Sequence, residues 1–274
     1  SNGNAYTYKQ LLDASHQFAS LLLINETDLQ QARVAFMVNP GFDYVKVQWA
    51  IWRAGGVTVP LCLTHPLPSL EYVLEDTGAT ILVVSPQYES FIQPLVEQFN
   101  LRFIVLGKEE NVDAKNLPNI DTSRNAMILY TSGTTNKPKG VVTTHDNLEA
   151  QISTLVNAWE WSATDKTICV LPLHHVHGIV NVVSSSLWCG ASCRFIDGFS
   201  AEEIFKLFEE GHINVFMAVP TIYYKLITYW ESLPANKQQE LTKAMSAFRL
   251  MVCGSAALPV SVMEKWKTIS THTL

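Results

Sequence analysis

Ser132, Thr134 and Thr135 bring three hydroxyls into the run Tyr130-Thr131-Ser132-Gly133-Thr134-Thr135-Asn136-Lys137-Pro138-Lys139-Gly140. Gly133 lets the backbone come close to a ligand, and Lys137 and Lys139 add two positive charges. Strand-like stretches flank the run, Ala126–Tyr130 before it and Val141–Thr143 after it, so it must be a loop that joins them. Hydroxyls, free backbone N–H groups and ammonium groups in one loop make a cradle for phosphate. It is not the GxxxxGK[ST] type, because that spacing does not occur and no helix follows Lys139 directly. Taken alone, the same residues also describe a Ser/Thr-rich hairpin turn with solvated lysines.

A second group of polar residues lies in Leu171-Pro172-Leu173-His174-His175-Val176-His177-Gly178. Three histidines in four residues suggest a metal, but His-His-x-His after a proline is not a zinc spacing. No carboxylate or cysteine stands beside them, so no metal site is expected. Their plain alternative is packing at a strand end. The five cysteines, Cys62, Cys169, Cys189, Cys193 and Cys253, lie in apolar stretches without a CxxC pair and read as reduced, buried thiols. Arg249, at the start of a strand-like run, reads as structural.

These residues need a scaffold. The chain has 274 residues, 19 Lys+Arg against 25 Asp+Glu and a formal net charge of −6, with 47% hydrophobic and 16% charged residues. That balance predicts a globular, core-rich chain, and the acidity without a basic run argues against nucleic acid or an anionic membrane as partner. The most apolar stretch, Gly178–Trp188, is interrupted by Asn181 and Ser184–Ser186 and falls short of the ~20 residues of a membrane span. Short β-branched runs at Arg33–Val38, Val57–Leu61, Thr80–Val84 and Phe103–Leu106 alternate with helical periodicity at Asp43–Ala54 and Leu70–Asp76, which predicts an α/β fold of layered sheets flanked by helices. Thr7…Gln10 and Ser200…Glu203 read as capping boxes that open helices to Leu23 and about Glu210. Further on, Asp146–Trp159, Thr221–Trp230 and Pro259–Ile269 read as helices, and Asn214–Val219 and Arg249–Cys253 as strands. The polar stretch 107–124 divides the pattern, so residues 1–110 are expected to form a first subdomain, 111–125 a linker and 126–274 a second subdomain. No presequence is visible, and the stop at Leu274, where a further strand would follow, predicts a truncated piece.

The loop resembles the phosphate-binding signature of the adenylate-forming superfamily of acyl-CoA synthetases, luciferases and peptide-synthetase adenylation domains. Asn136 departs from it, standing where the family usually has Gly; Asn tolerates positive φ better than other non-Gly residues. Leu171–Gly178 and Gly254-Ser255-Ala256-Ala257-Leu258-Pro259 are similar to the family's next two motifs, in order and at the expected spacing, and the likeness runs from about Tyr6 to Leu274. Within the superfamily, His174–Gly178, Asn214–Tyr223 and Leu250–Leu258 look closest to malonyl-CoA synthetases of the mitochondrial type, which also take methylmalonate.

The resemblance implies the N-terminal domain of an AMP-forming acid–CoA ligase, with ATP, Mg²⁺ and coenzyme A as its companions and no nucleic acid. It implies that Thr131, Ser132, Gly133, Thr134, Thr135, Asn136, Lys137, Pro138 and Lys139 hold ATP, that Gly254, Ser255, Ala256 and Ala257 line the adenine and acyl pocket, and that His175 orients the reacting carboxylate. A dicarboxylic substrate needs a cation for its second carboxylate, because an unpaired charge is costly to desolvate. Lys225 is the candidate, with Ser255 as a hydrogen-bond donor. The family's small C-terminal lid, with its catalytic Lys, is not contained in these residues, so the chain alone is expected to have little ligase activity. The mitochondrial matrix is implied by resemblance alone, with the cytoplasm as the alternative. Two further readings remain: a ligase for a medium-chain or aromatic acid, and a non-catalytic nucleotide-binding fragment.

Overall fold

The computed structural model describes residues 3–131, 137–196 and 198–274, and its Cα packing divides the chain into two compact units. Unit 1 is Ser1–Ala150 with Pro172–His175, and unit 2 is Gln151–Leu171 with Val176–Leu274. The fold is α/β, as the alternation of periods predicts.

Unit 1 alternates α1 (Tyr8–Leu22), β1 (Arg33–Met37), α2 (Phe42–Arg53), β2 (Val57–Pro60), α3 (Leu67–Thr77), β3 (Ile81–Val84), α4 (Glu89–Phe99) and β4 (Arg102–Val105), then adds the hairpin β5 (Asn125–Thr131) and β6 (Lys139–Thr144). The described strands form one sheet in the order β4-β3-β1-β2-β5-β6, parallel except for the antiparallel β5–β6 pair. Strands β2 and β3 are buried at every position, as parallel strands covered on both faces must be. Leu70, Val73 and Leu74 of α3 and Ile92, Leu95 and Val96 of α4 pack with Leu82 and Val84 of β3. Burying each such side chain stabilises by about 1.5–3 kcal/mol. The Thr7 cap is reciprocal: the Gln10 N–H donates to Thr7 Oγ1 at 3.2 Å, and the Thr7 N–H to Gln10 Oε1 at 2.7 Å.

The subdomain boundary falls later than the polar stretch suggests. The hairpin β5–β6 completes the sheet of unit 1, and residues 107–124 are a strap on α1 rather than a linker between units. Gln17 donates to the Val112 carbonyl, His16 lies 2.8 Å from the Lys115 carbonyl, and the Lys115 N–H donates to Ser20 Oγ at 3.0 Å. The Lys115 ammonium binds the carbonyls of Leu23, Ile24 and Glu26 just beyond α1, where a helix leaves acceptors and negative partial charge. Arg124 closes the strap with a two-pronged pair to Asp28 at 2.8 and 2.9 Å. Gly55 permits this, since a Cβ there would sit 2.1 Å from Asp28 Oδ1 at φ +81.

Helix α5 (His145–Ala158) begins in unit 1 and ends in unit 2. Unit 2 continues through β7 (Lys166–Cys169), a π-helical segment (His177–Ser184), α6 (Ser185–Trp188), β8 (Ser192–Phe195), α7 (Ala201–Glu209), β9 (Val215–Ala218), α8 (Pro220–Glu231), α9 (Ala235–Ser246), β10 (Leu250–Cys253) and α10 (Val260–Ser270). Its described strands run parallel in the order β10-β9-β7-β8. The core is aromatic: Tyr223 packs edge-on against Trp266 and Phe216, and Phe208 against Phe216 and Phe248. The apolar stretch at 178–188 is the π-helical segment and α6. Ser184 and Ser185 donate to the carbonyls five residues back, at 2.8 and 3.0 Å, which matches the wider i→i+5 turn. Among the described residues no helix is long and apolar enough to cross a membrane.

Arg249 is structural, as its strand-start position suggests. Its guanidinium donates to both oxygens of Asp165, at 3.0 and 2.9 Å, and to the Trp159 carbonyl. Asp165 is buried, and Asn214 Nδ2 and the Ser162 N–H donate to it as well. Burial alone would raise its carboxyl, but these bonds more than offset that and hold it below the ordinary carboxylate range. Stability from Asp165 is therefore present above the unfolded value near 4 and is lost as pH falls toward the folded one. Arg249→Met is expected to cost about 2–4 kcal/mol at neutral pH, because it strands a buried carboxylate. Urea denaturation at two pH values checks this, and the gap to wild type should narrow below about pH 4.

Candidate functional site

In unit 1 the predicted loop joins β5 to β6, with Thr131 opposite Lys139 and Tyr130 opposite Gly140. Ser132, Gly133, Thr134, Thr135 and Asn136 lie outside the described residues. Both described ends of the loop are held. Tyr72 of α3 donates to the Pro138 carbonyl at 3.0 Å, and the Lys137 ammonium lies 5.1 Å from the Tyr72 ring centroid, within cation–π range. Tyr72 meets Tyr130 edge-on, and the Tyr130 hydroxyl donates to Asp76. Burial, and then the Asp76 carboxylate, push the Tyr130 phenol up, so it remains a donor. Gly140 accommodates the Tyr130 ring: a Cβ there would meet it at 3.1 Å.

A cavity of about 690 Å³ opens beside this loop end, lined in part by Tyr72, Thr131, Lys137, His65, His174 and His175. The segment 172–175 reaches it by folding onto unit 1, where Tyr44 donates to the Leu173 carbonyl at 2.7 Å. The His174 ring meets His175 at a tilt of 51°, with centroids 4.1 Å apart, and lies 6.2 Å from His65. Burial, then the His175 and His65 rings, hold His174 down at about 4; burial, then His65, lower His175. His174 and His175 are therefore neutral near pH 7, with one N–H donor and one acceptor per ring. His65 and Tyr72 were not legible as site residues, since each stands alone in its stretch of sequence.

Unit 2 holds the rest. His177 belongs to this unit. Its Nδ1 lies 2.9 Å from the hydroxyl of Ser255, in the turn after β10. Gly254 continues the ladder through its N–H to the Ala218 carbonyl, and Ser255, Ala256 and Ala257 are exposed. Lys225 of α8 is exposed, and its ammonium lies 5.1 Å from the Phe199 ring centroid. The helix directs Tyr223 inward, where its hydroxyl donates to the Val252 carbonyl at 2.9 Å; a residue two places on cannot share that face. Lys225 is thus a surface cation rather than one buried at the base of a pocket.

Because the unfolded chain protonates His174 between about pH 4 and pH 6.5 while the folded chain does not, stability must fall as pH drops through that window. His174→Phe keeps the ring contacts and removes the proton site. Chemical denaturation near pH 7 and pH 5 is expected to show a smaller loss for the variant than for wild type; an equal loss would move the origin of the effect away from His174.

Comparison with known proteins agrees with the motifs. The chain is 40% identical over 286 residues to malonate–CoA ligase ACSF3, mitochondrial, of Bos taurus, covering 98% of this chain and 49% of that protein. The structure of apo MatB from Rhodopseudomonas palustris superposes with a TM-score of 0.86 at 26% identity, over 100% of this chain and 54% of that one. A malonyl-CoA ligase ternary product complex with methylmalonyl-CoA and AMP bound superposes with a TM-score of 0.85 at 27% identity, over 100% and 55%. The chain spans about half the length of the curated relatives it matches. The family model for AMP-binding enzymes matches residues 1–273, and the chain belongs to that family.

Proposed function

We propose that this chain carries the nucleotide- and acid-binding residues of an ATP-dependent acid–CoA ligase that activates malonate or methylmalonate, in the mitochondrial matrix. The observation that carries the reading is the 690 Å³ cavity of unit 1, in which the end of the Thr131–Lys139 loop meets His174 and His175. The similarity to malonate–CoA ligases supports it.

An acid carboxylate is ionised at neutral pH and needs no general base. One of its oxygens attacks the ATP α-phosphorus, the bond from that phosphorus to the bridging oxygen breaks, and pyrophosphate leaves with the electron pair. Lys137 and Lys139, with the loop's hydroxyls and N–H groups, are assigned to the β- and γ-phosphates, where charge accumulates. A neutral His175 offers an N–H to orient the carboxylate and does not act as a base. Coenzyme A thiolate then attacks the acyl carbon, and AMP leaves. Mg²⁺ would enter on the phosphates; among the described residues no group of three His, Cys, Asp or Glu is arranged to hold a metal, and no step is assigned to it.

The 254–257 turn and Lys225 are assigned to the acid, with Ser255 and the Lys225 ammonium serving the carboxylate that does not react. Exposure limits what Lys225 contributes, because an exposed ion pair is worth at most about 1 kcal/mol. ATP–pyrophosphate exchange by the full-length parent protein, with malonate, methylmalonate, acetate and octanoate, tests the reading. Exchange driven by the two dicarboxylates is expected, and Lys225→Ala should raise the malonate KM by about two- to fivefold with acetate unaffected. Exchange led by octanoate or acetate would discard the dicarboxylate assignment, and exchange with no acid would discard the activity.

A further inference from the structure

His177 is buried, with 6% of its surface exposed, in the first turn of the π-helical segment. Its ring lies beneath the turn that follows β10, so that a Cβ on Gly254 would touch its Cε1 at 3.4 Å. Nδ1 and the Ser255 hydroxyl are 2.9 Å apart, and Ser255 is held at φ +68, a conformation that few residues other than glycine adopt. The opposite ring nitrogen, Nε2, is also buried and has no hydrogen-bond partner among the described residues.

The two neutral tautomers have different consequences. With the proton on Nε2, a buried N–H donor is left unpaired, and Nδ1 accepts a hydrogen bond from the Ser255 hydroxyl. With the proton on Nδ1, the unpaired atom is an acceptor. Unpaired buried N–H groups are the rarer of the two in folded proteins, and the bond made by one ring nitrogen sets the state of the other. In the second form Nδ1–H donates to Ser255 Oγ, and the serine hydroxyl keeps its own proton to give away.

We infer that His177 is a positioning residue that donates from Nδ1 to Ser255 Oγ, so that Ser255 faces outward as a hydrogen-bond donor and favours acids with a second carboxylate over those ending in a methyl group. The second clause rests on the proposed function, which puts the acid at the 254–257 turn; the first does not. Burial holds the imidazole down and so keeps it neutral at pH 7, where the tautomer has meaning. Ser255 is exposed, so its free proton is available to an anion, and a hydroxyl that gives its proton to a carboxylate makes a stronger bond than it makes to a neutral acceptor.

Long-range ¹H–¹⁵N spectroscopy of the uniformly labelled chain tests this, with His177 assigned by its loss in His177→Gln. The expected pattern is an imidazole protonated at Nδ1. Protonation at Nε2 would overturn the inference. Ser255→Ala removes the acceptor and is expected to move the ring toward Nε2–H, and an unchanged pattern would equally overturn it. With ATP present, malonate should perturb the His177 nitrogens in wild type, and propionate should not. Equal perturbation by both acids, or none by either, would overturn the selectivity clause. These outcomes separate from those of pyrophosphate exchange: malonate-driven exchange beside an Nε2–H ring sinks this inference alone, and absent exchange beside an Nδ1–H ring sinks the activity alone.

Discussion

A parallel strand buried on both faces can offer chemistry only at its ends, and each unit of this protein obeys that constraint. Strands β2, β3 and β9 are closed off at every position. Many of the candidate site residues follow the carboxyl end of a strand or lie on a helix that starts there. His65 comes after β2, the phosphate loop after β5, His174 and His175 after β7, Lys225 on the helix after β9, and Ser255 after β10. Ligand groups at the carboxyl ends of strands are the general outcome for open α/β sheets. The core therefore both supplies the stability and decides where polar side chains can stand.

Neutral polar groups dominate the described part of the site. In the cavity of unit 1, burial first, and then the neighbouring imidazoles, hold His174 and His175 down, so these two rings keep their neutral forms. Among the lining residues the positive charge belongs to Lys137, which is steadied by the face of Tyr72. Under the proposed function this division would set fixed cations against the phosphates, while the imidazoles would direct a carboxylate without competing for its proton. The strap of residues 107–124 does comparable work for the scaffold: Lys115 answers the carbonyls at the end of α1, and Arg124 ties the strap's own end to Asp28.

Much of the fold was legible, because capping and periodicity are local. Thr7 caps α1 and Ser200 caps α7 as their spacing predicts, and the strands at 33–37, 57–60 and 81–84 are plain β-branched runs. Other elements carry weak or contrary local signals. Helix α4 contains Pro94 and follows Pro86, two residues that ordinarily end helices. Strands β7 and β8 are four residues each and mix Lys, Ser and Arg with their apolar positions. Helix α9 has a run of Asn, Lys, Gln and Glu and buries only Leu241 and Met245 deeply. The subdomain boundary was misplaced because a polar stretch reads the same whether it links two bodies or straps one.

By itself the sequence determined the α/β class, the hairpin loop between two strands, and the family, since each depends on residue types at short, fixed spacings. Only the tertiary structure decided that His65 joins His174 and His175, that Tyr72 clamps the loop end, that Lys225 stands at the surface, and that His177 meets Ser255, a residue 78 positions further along. The physical reason is distance along the chain. A cap or a turn is settled within a few residues, whereas a hydrogen bond between distant loops exists only once the sheets are packed and their strand ends fixed.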